Sequence, residues 1–534
     1  MKIILLIFII VLSLMLSAFA ELVTIDEAQT VADNWIKRTI IKKGSWGDAS
    51  IAEIGDVSYL KYEDRLIGYV CNVEPEGFIV VSIHKTLEPI KGYSENGRFD
   101  QDCDDPIADI IKKSMLLIIE SIENKIGPIE LAKDNELNKI LHINYRQIWD
   151  KINNFEDIPD YQRESSRDKE DYQEGDYLVK SEWRQGPPFN LDCPDMGCEY
   201  YPTWDQWPVH YAYNENAVSG CVAIAGAQIM RHWAWPPDRV GQDEGFDWPQ
   251  MADWYYRTQI LPGVFDYTDR DGAVITPVQI DAVAHLIRDI GIYVDMNYGC
   301  DGSGADLFTL YDSTSLEMAM KSFYRYDSDI EAILRSPLYV FPEDWFPILQ
   351  SEFDNNRPVA YGYLGHAFLA DGWDNDGLML VHFNMGWGVN NHQCGDFPSN
   401  WWYTLTGICD HELFEEVILR NIKPEVSMGS SLMANDYELE SYRYRYFNTD
   451  CHNIAIGFDF HTTFEAGQNL QFLPGITVTC HGFDEGRTIR FESAEGGNDS
   501  TTSLYSRGDR TKGIDVKEDG VLVLHDRGCI TFPK

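Results

Sequence analysis

The first part of the chain combines helical and strand-like patterns of hydrophobic positions. Apolar residues at helical spacing over Thr24–Arg38 predict a helix, and Thr24 with Glu27 forms a possible capping box at its start. Asp105–Ile126 predicts a second long helix. Two short apolar segments predict strands: Leu66–Val73 and Gly77–Ser82. We therefore expect a small α+β unit from residue 21 to about residue 145.

The pattern changes twice further along the chain. Residues 155–178 hold nine acidic and three basic residues and hardly any aliphatic ones, which predicts a solvated, cleavable linker with a cut between about Arg163 and Lys180. From about Leu178 to Arg420 the chain is rich in Trp, Tyr and Gly. Beyond residue 425, alternating segments between Gly- and Asp-rich turns predict a β-sandwich-like domain. These segments are Ile476–Thr479, Thr488–Phe491 and Val521–Leu524. The predicted divisions are 21–177, 178–424 and 425–534.

Residues 1–20 have the pattern of a signal peptide. A positive start at Met1-Lys2 precedes the apolar run Ile3–Leu16, and Ala18-Phe19-Ala20 has the small-x-small spacing of a cleavage site. The apolar run is shorter than the roughly 20 residues of a membrane-spanning helix, and a retained N-terminal anchor is the alternative. We expect a mature chain that begins near Glu21, is secreted and has no membrane span.

Charge and motifs narrow the classes of function. Of 534 residues, 43 are Lys or Arg and 86 are Asp or Glu, a net charge of −43 that argues against nucleic-acid or anionic-membrane partners. The chain has no HExxH, GxSxG or GxxxxGK[ST] motif. Cys193 and Cys198 are close in sequence, but no second close pair of Cys or His completes four zinc ligands. We expect no metal and no cofactor.

Cys221 is the strongest candidate for a reactive group. The eleven cysteines are an odd number, so an exported chain leaves at least one of them unpaired. Ser219-Gly220-Cys221 opens an Ala-rich helical run, which places Cys221 at a helix N-terminus, where the helix dipole and free N–H groups stabilise a thiolate. Gly220 leaves room for a substrate beside the sulfur. A buried structural cysteine is the alternative.

Three further residues complete a catalytic set in sequence order. His366 follows Gly365 at the start of a buried strand-like segment and is the best placed base among thirteen histidines, although a core histidine is the alternative. Gln185 precedes Cys221, and its amide is a candidate oxyanion donor; a surface-loop glutamine is the alternative. Asn384 follows the histidine and is a candidate acceptor from the imidazole N–H, while a neighbouring aromatic could instead shield the pair. The order Gln, Cys, His, Asn is a stronger signal than any single residue.

Several separated blocks resemble the streptopain family of secreted bacterial cysteine proteases, over roughly residues 22–420. The blocks are Gln185–Asn190, Gly220–Ala223, Ala227–Met230, Gly291–Met296, Gly365–Phe368 and Asn384–Gly388. Two earlier segments resemble the family's propeptide: Gly77–Ser82 and Ile90–Ser94. The resemblance implies an α+β chain whose papain-like catalytic domain has a helical half with the cysteine and a β half with the histidine. An inhibitory propeptide would precede this domain.

The resemblance also implies roles for individual residues. Cys221 would be the nucleophile and His366 the general base, later the acid. Gln185 and the Cys221 backbone N–H would form the oxyanion hole, and Asn384 would help to position His366. The substrates would be proteins or peptides, and the chain's own propeptide would be an intramolecular inhibitor. The loop Tyr298–Asp306 would lie near the substrate cleft, whose predicted residues are Gly220, Ser303, Gly304, Gly365, Met385 and Trp387.

The chain departs from the family pattern in three respects. Met385 stands where family members have a tryptophan that would shield the Cys–His pair, so we expect retained activity with weaker shielding. The C-terminal domain lies outside the resemblance, and the extra cysteines suggest added disulfides. Two alternatives to a zymogen endopeptidase stay open: an acyltransferase or amidase with the same Cys–His chemistry, and a non-catalytic secreted binding protein.

Overall fold

The fold was analysed in a computed structural model. It describes residues 22–100, 106–129, 134–155, 172–198, 215–236, 245–261, 264–309, 314–335, 341–375, 377–388, 399–405 and 416–425, and short strands between 463 and 531. The predicted signal peptide and most of the predicted linker lie outside the described residues. Among the helices that are described, none has the length and apolar character needed to cross a membrane.

Helices and strands alternate along the described chain. The helices are α1 (Ile25–Lys43), α2 (Pro106–Ile126), α3 (Asp134–Leu141), α4 (Tyr145–Asn153), α5 (Cys221–Trp233), α6 (Pro277–Tyr293), α7 (Leu316–Ser322) and α8 (Pro342–Asp354). The strands before residue 425 are β1 (Glu53–Tyr62), β2 (Arg65–Glu74), β3 (Phe78–Ser82), β4 (Ile90–Ser94), β5 (Tyr256–Leu261), β6 (Val264–Thr268), β7 (Glu331–Leu334), β8 (Val359–Tyr363), β9 (His366–Asp374), β10 (Leu380–Asn384), β11 (Asn400–Thr404) and β12 (Val417–Arg420). The predicted capping box of Thr24 and Glu27 is present, and α1 continues to Lys43, five residues beyond the predicted end. Helices and a large antiparallel sheet make this an α+β chain, as predicted.

One antiparallel sheet runs through the N-terminal region (residues 22–155) and the later chain. Its strand order is β1-β2-β3-β4-β11-β10-β9-β8-β12-β7. At the junction, Trp402 of β11 lies opposite Tyr93 of β4, and Tyr403 lies opposite Gly92. The Ser94 hydroxyl also donates to the Asn400 carbonyl at 2.9 Å. The N-terminal strands therefore extend the sheet that includes His366.

Strand β9 lies between two hydrophobic cores. Because side chains alternate along a strand, Phe368 and Ala370 pack into the core shared with the N-terminal region, whereas Ala367 and Leu369 pack into the core around α5 and α6. A strand buried on both faces has a continuous apolar sequence, which explains the apolar segment after His366. The position of His366 therefore depends on both cores.

Helix α2 covers one face of the sheet. Its Ile110, Ile111 and Ser114 line a small cavity together with Phe368 and Met385. The Ser114 and Tyr403 hydroxyls lie 2.6 Å apart across this interface. The N-terminal region thus contacts the sheet through a helix as well as through strand pairing.

The last part of the predicted linker, residues 172–178, is partly buried against β9 rather than fully solvated, which corrects the sequence interpretation. The backbone N–H of Gly175 donates to the Trp373 carbonyl at 2.9 Å, and that of Leu178 donates to the Asp371 carbonyl at 2.9 Å. The Tyr172 hydroxyl donates to the same Trp373 carbonyl at 3.2 Å. The acidic composition predicted exposure to solvent. These residues instead pack along β9, because the backbone carbonyls of Asp371 and Trp373 accept their N–H groups.

The three strands predicted near the C-terminus are present as β14 (Thr477–Cys480), β15 (Thr488–Phe491) and β18 (Val521–Leu524). The other strands there are β13 (Thr463–Phe464), β16 (Tyr505–Ser506), β17 (Ile514–Val516) and β19 (Gly528–Thr531). They form two sheets, β13-β15-β18-β17 and β14-β19-β16. The sandwich arrangement and the three domain boundaries stay predictions.

The junction between β4 and β11 leaves no space for a side chain at Gly92. A Cβ there would lie 2.9 Å from the Trp402 carbonyl oxygen, too close without a shift of the paired backbone. We expect Gly92→Ala to lower the free energy of unfolding by about 1–3 kcal/mol, measured by urea denaturation. Gly302→Ala is the matched control, since a Cβ at Gly302 meets nothing within 4 Å. Equal stability of Gly92→Ala and wild type would contradict the tight junction.

Candidate functional site

Cys221 is the first residue of α5, as predicted. Gly220 precedes it as the N-cap with φ +88°, a conformation that favours glycine, and a Cβ there would lie 2.6 Å from the Met296 sulfur. Cys221 keeps partial exposure, whereas every later residue of α5 is buried. The helix therefore presents one accessible thiol beside its free N-terminal N–H groups.

His366 is the first residue of β9, directly after a tight turn. Leu364 and Gly365 connect β8 to β9 with φ values of +49° and +78°, and His366 pairs with Tyr363 across the hairpin. Two positive φ values in a two-residue loop are typical of a type I′ turn, which matches the twist of the flanking strands. Gly365 is exposed and has open space around its Cβ direction. The hairpin fixes the imidazole at the rim of the sheet.

Cys221 and His366 interact with each other, and each shifts the pKa of its partner. Burial alone raises the pKa of Cys221, but the hydrogen bond and charge of His366 and the backbone N–H groups of Ala367 and Val222 lower that pKa overall. Burial lowers the pKa of His366, but the hydrogen bond and charge of Cys221 and the Met385 carbonyl raise it overall. Each group thus stabilises the charged form of the other, which is the arrangement of a thiolate–imidazolium pair.

The expected hydrogen bond from His366 to Asn384 is absent, and this corrects the sequence interpretation. The His366 Nε2 atom lies 2.9 Å from the backbone carbonyl oxygen of Met385, which leaves Nδ1 for the sulfur of Cys221. A backbone carbonyl performs the orienting role because the side chain of Asn384, the last residue of β10, is fully buried and turned to other partners.

Asn384 instead shapes the turn that carries this carbonyl. Its Oδ1 accepts from the Gly386 N–H at 3.1 Å, and its Nδ2 donates to the Ser181 carbonyl at 2.8 Å. Its Nδ2 also donates to Oε1 of Gln228, which accepts from the Trp183 N–H at 3.1 Å. Sequence reasoning did not single out Gln228, which lies in the Ala227–Met230 block. The available signal was a polar residue inside an otherwise apolar helical run. Asn384 is a positioning residue for the Met385 carbonyl.

Two aromatic rings lie against His366. The Trp387 ring is 5.5 Å from the imidazole between centroids, and the Phe368 ring is 5.7 Å away on the same strand. Met385, where the family pattern has tryptophan, is buried and lines the cavity beneath α2. Phe368 was not predicted to be near the site, although it follows His366 by two positions and therefore shares its face of the sheet.

Gln185 lies between the cysteine segment and the Trp387 turn. Its backbone carbonyl accepts from the Ser219 N–H at 3.0 Å and from the Ser219 hydroxyl at 3.2 Å. The preceding residue, Arg184, forms a β-bridge with Trp387. The structure thus places the backbone of Gln185 next to the segment just before Cys221.

The predicted cleft loop lies on the other side of the cysteine segment. Asn297 and Gly304 exchange backbone hydrogen bonds of 2.9 and 3.1 Å, and the Ser303 hydroxyl donates to the Val218 carbonyl at 2.6 Å. A Cβ on Gly220 would lie 3.0 Å from the Ser303 carbonyl oxygen. The predicted neighbours Gly220 and Ser303 are therefore close together. Among the described residues, no group of three or more His, Cys, Asp or Glu side chains is placed to hold a metal ion.

The described part of the chain contains a disulfide, as the extra cysteines suggested. Cys198 and Cys300 form a disulfide, so Cys198 is not available as a metal ligand. Within the described part of the chain, the free cysteines are Cys71, Cys193 and Cys221, and the first two are buried. Burial raises the pKa of Cys193 to about 12, whereas the pKa of Cys221 is lowered. Cys221 is the described free cysteine that is both accessible and activated.

Comparisons with known proteins find similarity to cysteine proteases and to a protease inhibitor family. Residues 183–392 match the Peptidase C10 family, and residues 20–114 match the Spi protease inhibitor family. The thiol protease/hemagglutinin PrtT of Porphyromonas gingivalis is 27% identical over 326 residues, which are 59% of this chain and only 32% of that protein. Streptopain of Streptococcus pyogenes is 28% identical over 345 residues, 60% of this chain and 71% of that protein. A solved fragment of Prevotella intermedia prointerpain A aligns with 69% of this chain and 99% of that chain, at 21% identity and a TM-score of 0.47.

The coupling of the two ionisable groups predicts a pH profile. The thiolate is lost as pH falls through the lowered pKa of Cys221, and the imidazolium proton is lost as pH rises through the raised pKa of His366. In His366→Ala the burial stays while the hydrogen bond and charge are removed, so the pKa of Cys221 rises. We expect alkylation of Cys221 by iodoacetamide, followed by peptide mass mapping, to require a higher pH in this variant.

The control is His285→Ala, which removes a histidine of α6 whose ring contacts Phe246. Its alkylation profile should match that of wild type. The same profile in His366→Ala and wild type would contradict the coupling of the pair.

Proposed function

We propose that the chain is a secreted endopeptidase made as a zymogen, a streptopain-like cysteine peptidase with an N-terminal inhibitor domain. The observation that supports this most directly is the pairing of Cys221, at the N-terminus of α5, with His366, at the start of β9. Secretion rests on the signal-peptide pattern of residues 1–20. Proteins or peptides are the proposed substrates, and no cofactor is needed for the reaction.

The proposed reaction has two stages. The sulfur of Cys221 attacks the scissile carbonyl carbon, and His366 gives its proton to the leaving amine as the C–N bond breaks, which leaves a thioester and a neutral imidazole. Water then attacks the thioester while His366 takes a proton from it. The C–S bond breaks, the acid product leaves, and the thiolate and imidazolium are restored. The Met385 carbonyl, 2.9 Å from Nε2, holds the ring orientation through both proton transfers.

Two donors are proposed for the negative charge that develops on the carbonyl oxygen. One is the backbone N–H of Cys221 at the start of α5, where the helix dipole adds to its effect. The other is the side-chain amide of Gln185, whose backbone is tied to Ser219 two residues before the nucleophile. This contact gives Gln185 a fixed place relative to the sulfur.

The N-terminal region is the proposed intramolecular inhibitor. Its strand β4 pairs with β11, and its helix α2 packs on the face of the sheet that includes Phe368, whose ring lies beside His366. The inhibitor is thus joined to the sheet that positions the base. A non-catalytic binding protein would not need the Cys–His pair, and no described contact favours an amine over water as the acyl acceptor.

Self-processing tests the peptidase and its zymogen together. We expect the purified Glu21–Lys534 chain under mild reductant to cut itself between Arg163 and Tyr172, because residues from Tyr172 onward are hydrogen-bonded along β9 and are poor substrates. Intact mass over time would show the loss of the N-terminal region. Cys221→Ala should stay whole.

Cys71→Ala is the control, since it removes a buried thiol of β2 and should still be cut. Cleavage of Cys221→Ala at the wild-type rate, or no cleavage of any variant, would contradict the proposal.

The oxyanion role of Gln185 has a separate test. Loss of one donor typically costs about 10²–10³-fold in rate, so we expect Gln185→Ala to lower kcat by that factor without abolishing peptide hydrolysis. The alkylation rate of Cys221 by iodoacetamide should be unchanged, because this reagent develops no oxyanion in the hole. Activity of Gln185→Ala close to wild type would remove Gln185 from the site.

A further inference from the structure

The segment that leads into Cys221 is bound on one side by residues 194–198. The Ala217 N–H donates to the Pro194 carbonyl at 2.9 Å, and the Cys198 N–H donates to the Glu215 carbonyl at 3.0 Å. These are antiparallel, strand-like contacts between two short stretches of chain. They fix the backbone of residues 215–217, which lead to Cys221 at the start of α5.

The cleft loop binds the same segment on its other side. The Val218 N–H donates to the Gly299 carbonyl at 3.2 Å, and the Ser303 hydroxyl donates to the Val218 carbonyl at 2.6 Å. The Gly299 N–H in turn donates to the Ser303 hydroxyl at 3.0 Å. Val218 is thus held through both of its backbone groups by a loop that closes on itself between Asn297 and Gly304.

The disulfide joins the two flanking stretches. Cys198 is the last described residue of the first stretch, and Cys300 lies in the loop, 102 residues later in the sequence. The loop is also the wall of the space beside the nucleophile, since a Cβ on Gly220 would lie 3.0 Å from the Ser303 carbonyl oxygen. The crosslink therefore ties the cleft wall to the opposite side of the segment that carries Cys221.

We propose that the disulfide of Cys198 and Cys300 is a positioning crosslink that sets the affinity of the cleft for extended peptides. It holds the loop in place before the substrate arrives, so that binding does not have to order the loop. This inference rests on the proposed peptidase function and deepens it. It assigns substrate affinity to two residues that neither react nor contact the Cys–His pair.

A redox consequence follows from the same placement. Two thiol groups of a reductant give up two electrons and become a disulfide, while the bond between Cys198 and Cys300 breaks and each sulfur gains a proton. Cys221 must stay reduced to act as a nucleophile, but a strong reductant also releases the loop. We expect peptidase activity to pass through a maximum as the dithiothreitol concentration rises, and to lack the decline in a chain without the disulfide.

The test compares the reaction of two electrophiles with the protein that self-processing of the Glu21–Lys534 chain produces. Iodoacetamide is small and reports the thiolate of Cys221, whereas a peptidyl chloromethyl ketone must also bind in the cleft. In Cys198→Ala/Cys300→Ala we expect the labelling rate with the peptidyl reagent to fall about tenfold, the equivalent of about 1.4 kcal/mol of binding. The rate with iodoacetamide should be unchanged, and peptide hydrolysis should show a raised KM with kcat retained.

Two further variants separate positioning from general stability. Cys193→Ala removes a neighbouring free thiol without breaking the disulfide and should leave the ratio of the two labelling rates unchanged. Ser303→Ala removes the hydrogen bond to Val218 and should lower the peptidyl rate more in the disulfide-free chain than in the disulfide-containing one.

An equal fall of both labelling rates would show that the crosslink only stabilises the fold, and two unchanged rates would show that it does nothing for the cleft. Either result overturns the proposal. A wild-type chain that reacts with the peptidyl reagent but hydrolyses no peptide would contradict the proposed function alone.

Discussion

The contact between Cys221 and His366 brings together a helix of one hydrophobic core and a strand that two cores share. Cys221 begins a helix that belongs to the core with α6, whereas His366 begins a strand whose residues pack alternately into that core and into the core of the N-terminal region. Burial opposes both charges, since it raises the pKa of the thiol and lowers that of the imidazole. Each partner offsets the burial of the other, which favours the ionised forms of both groups.

Backbone geometry, more than side-chain chemistry, places this pair. Gly220 with a positive φ starts α5 beside Met296, and the type I′ turn at Leu364-Gly365 starts β9. The acceptor for the second imidazole nitrogen is the carbonyl of Met385, which is set by the buried amide of Asn384. A change of the side chain at residue 385 therefore leaves the backbone carbonyl that orients the base in the chain.

The local sequence pattern predicted those parts of the structure that depend on neighbours in sequence. The capping box at Thr24, the helix at Cys221 and the strand after His366 follow from spacing of two to four residues. The pairing of β4 with β11 and the disulfide of Cys198 with Cys300 join residues far apart in sequence, and no local pattern encodes such partners.

Two sequence predictions, the partner of His366 and the exposure of the acidic linker, were wrong for a similar reason. Asn384 was assigned to the imidazole because side-chain chemistry can be inferred from a sequence and the position of a backbone carbonyl cannot. The end of the acidic linker was expected in solvent because its composition is polar, yet its backbone N–H groups, such as that of Leu178, bond along β9. Composition describes side chains, whereas this contact is made by the main chain.

The most direct measurement of the central claim is the titration of the His366 ring by NMR, in wild type and in Cys221→Ala, with the signal assigned through His366→Gln. The account predicts that the pKa of His366 lies above its ordinary value in wild type and falls in Cys221→Ala, because the hydrogen bond and charge of Cys221 are the largest contributions that offset the burial of the ring. The same pKa of His366 in both proteins would show that the two residues do not share a charge and would contradict the account.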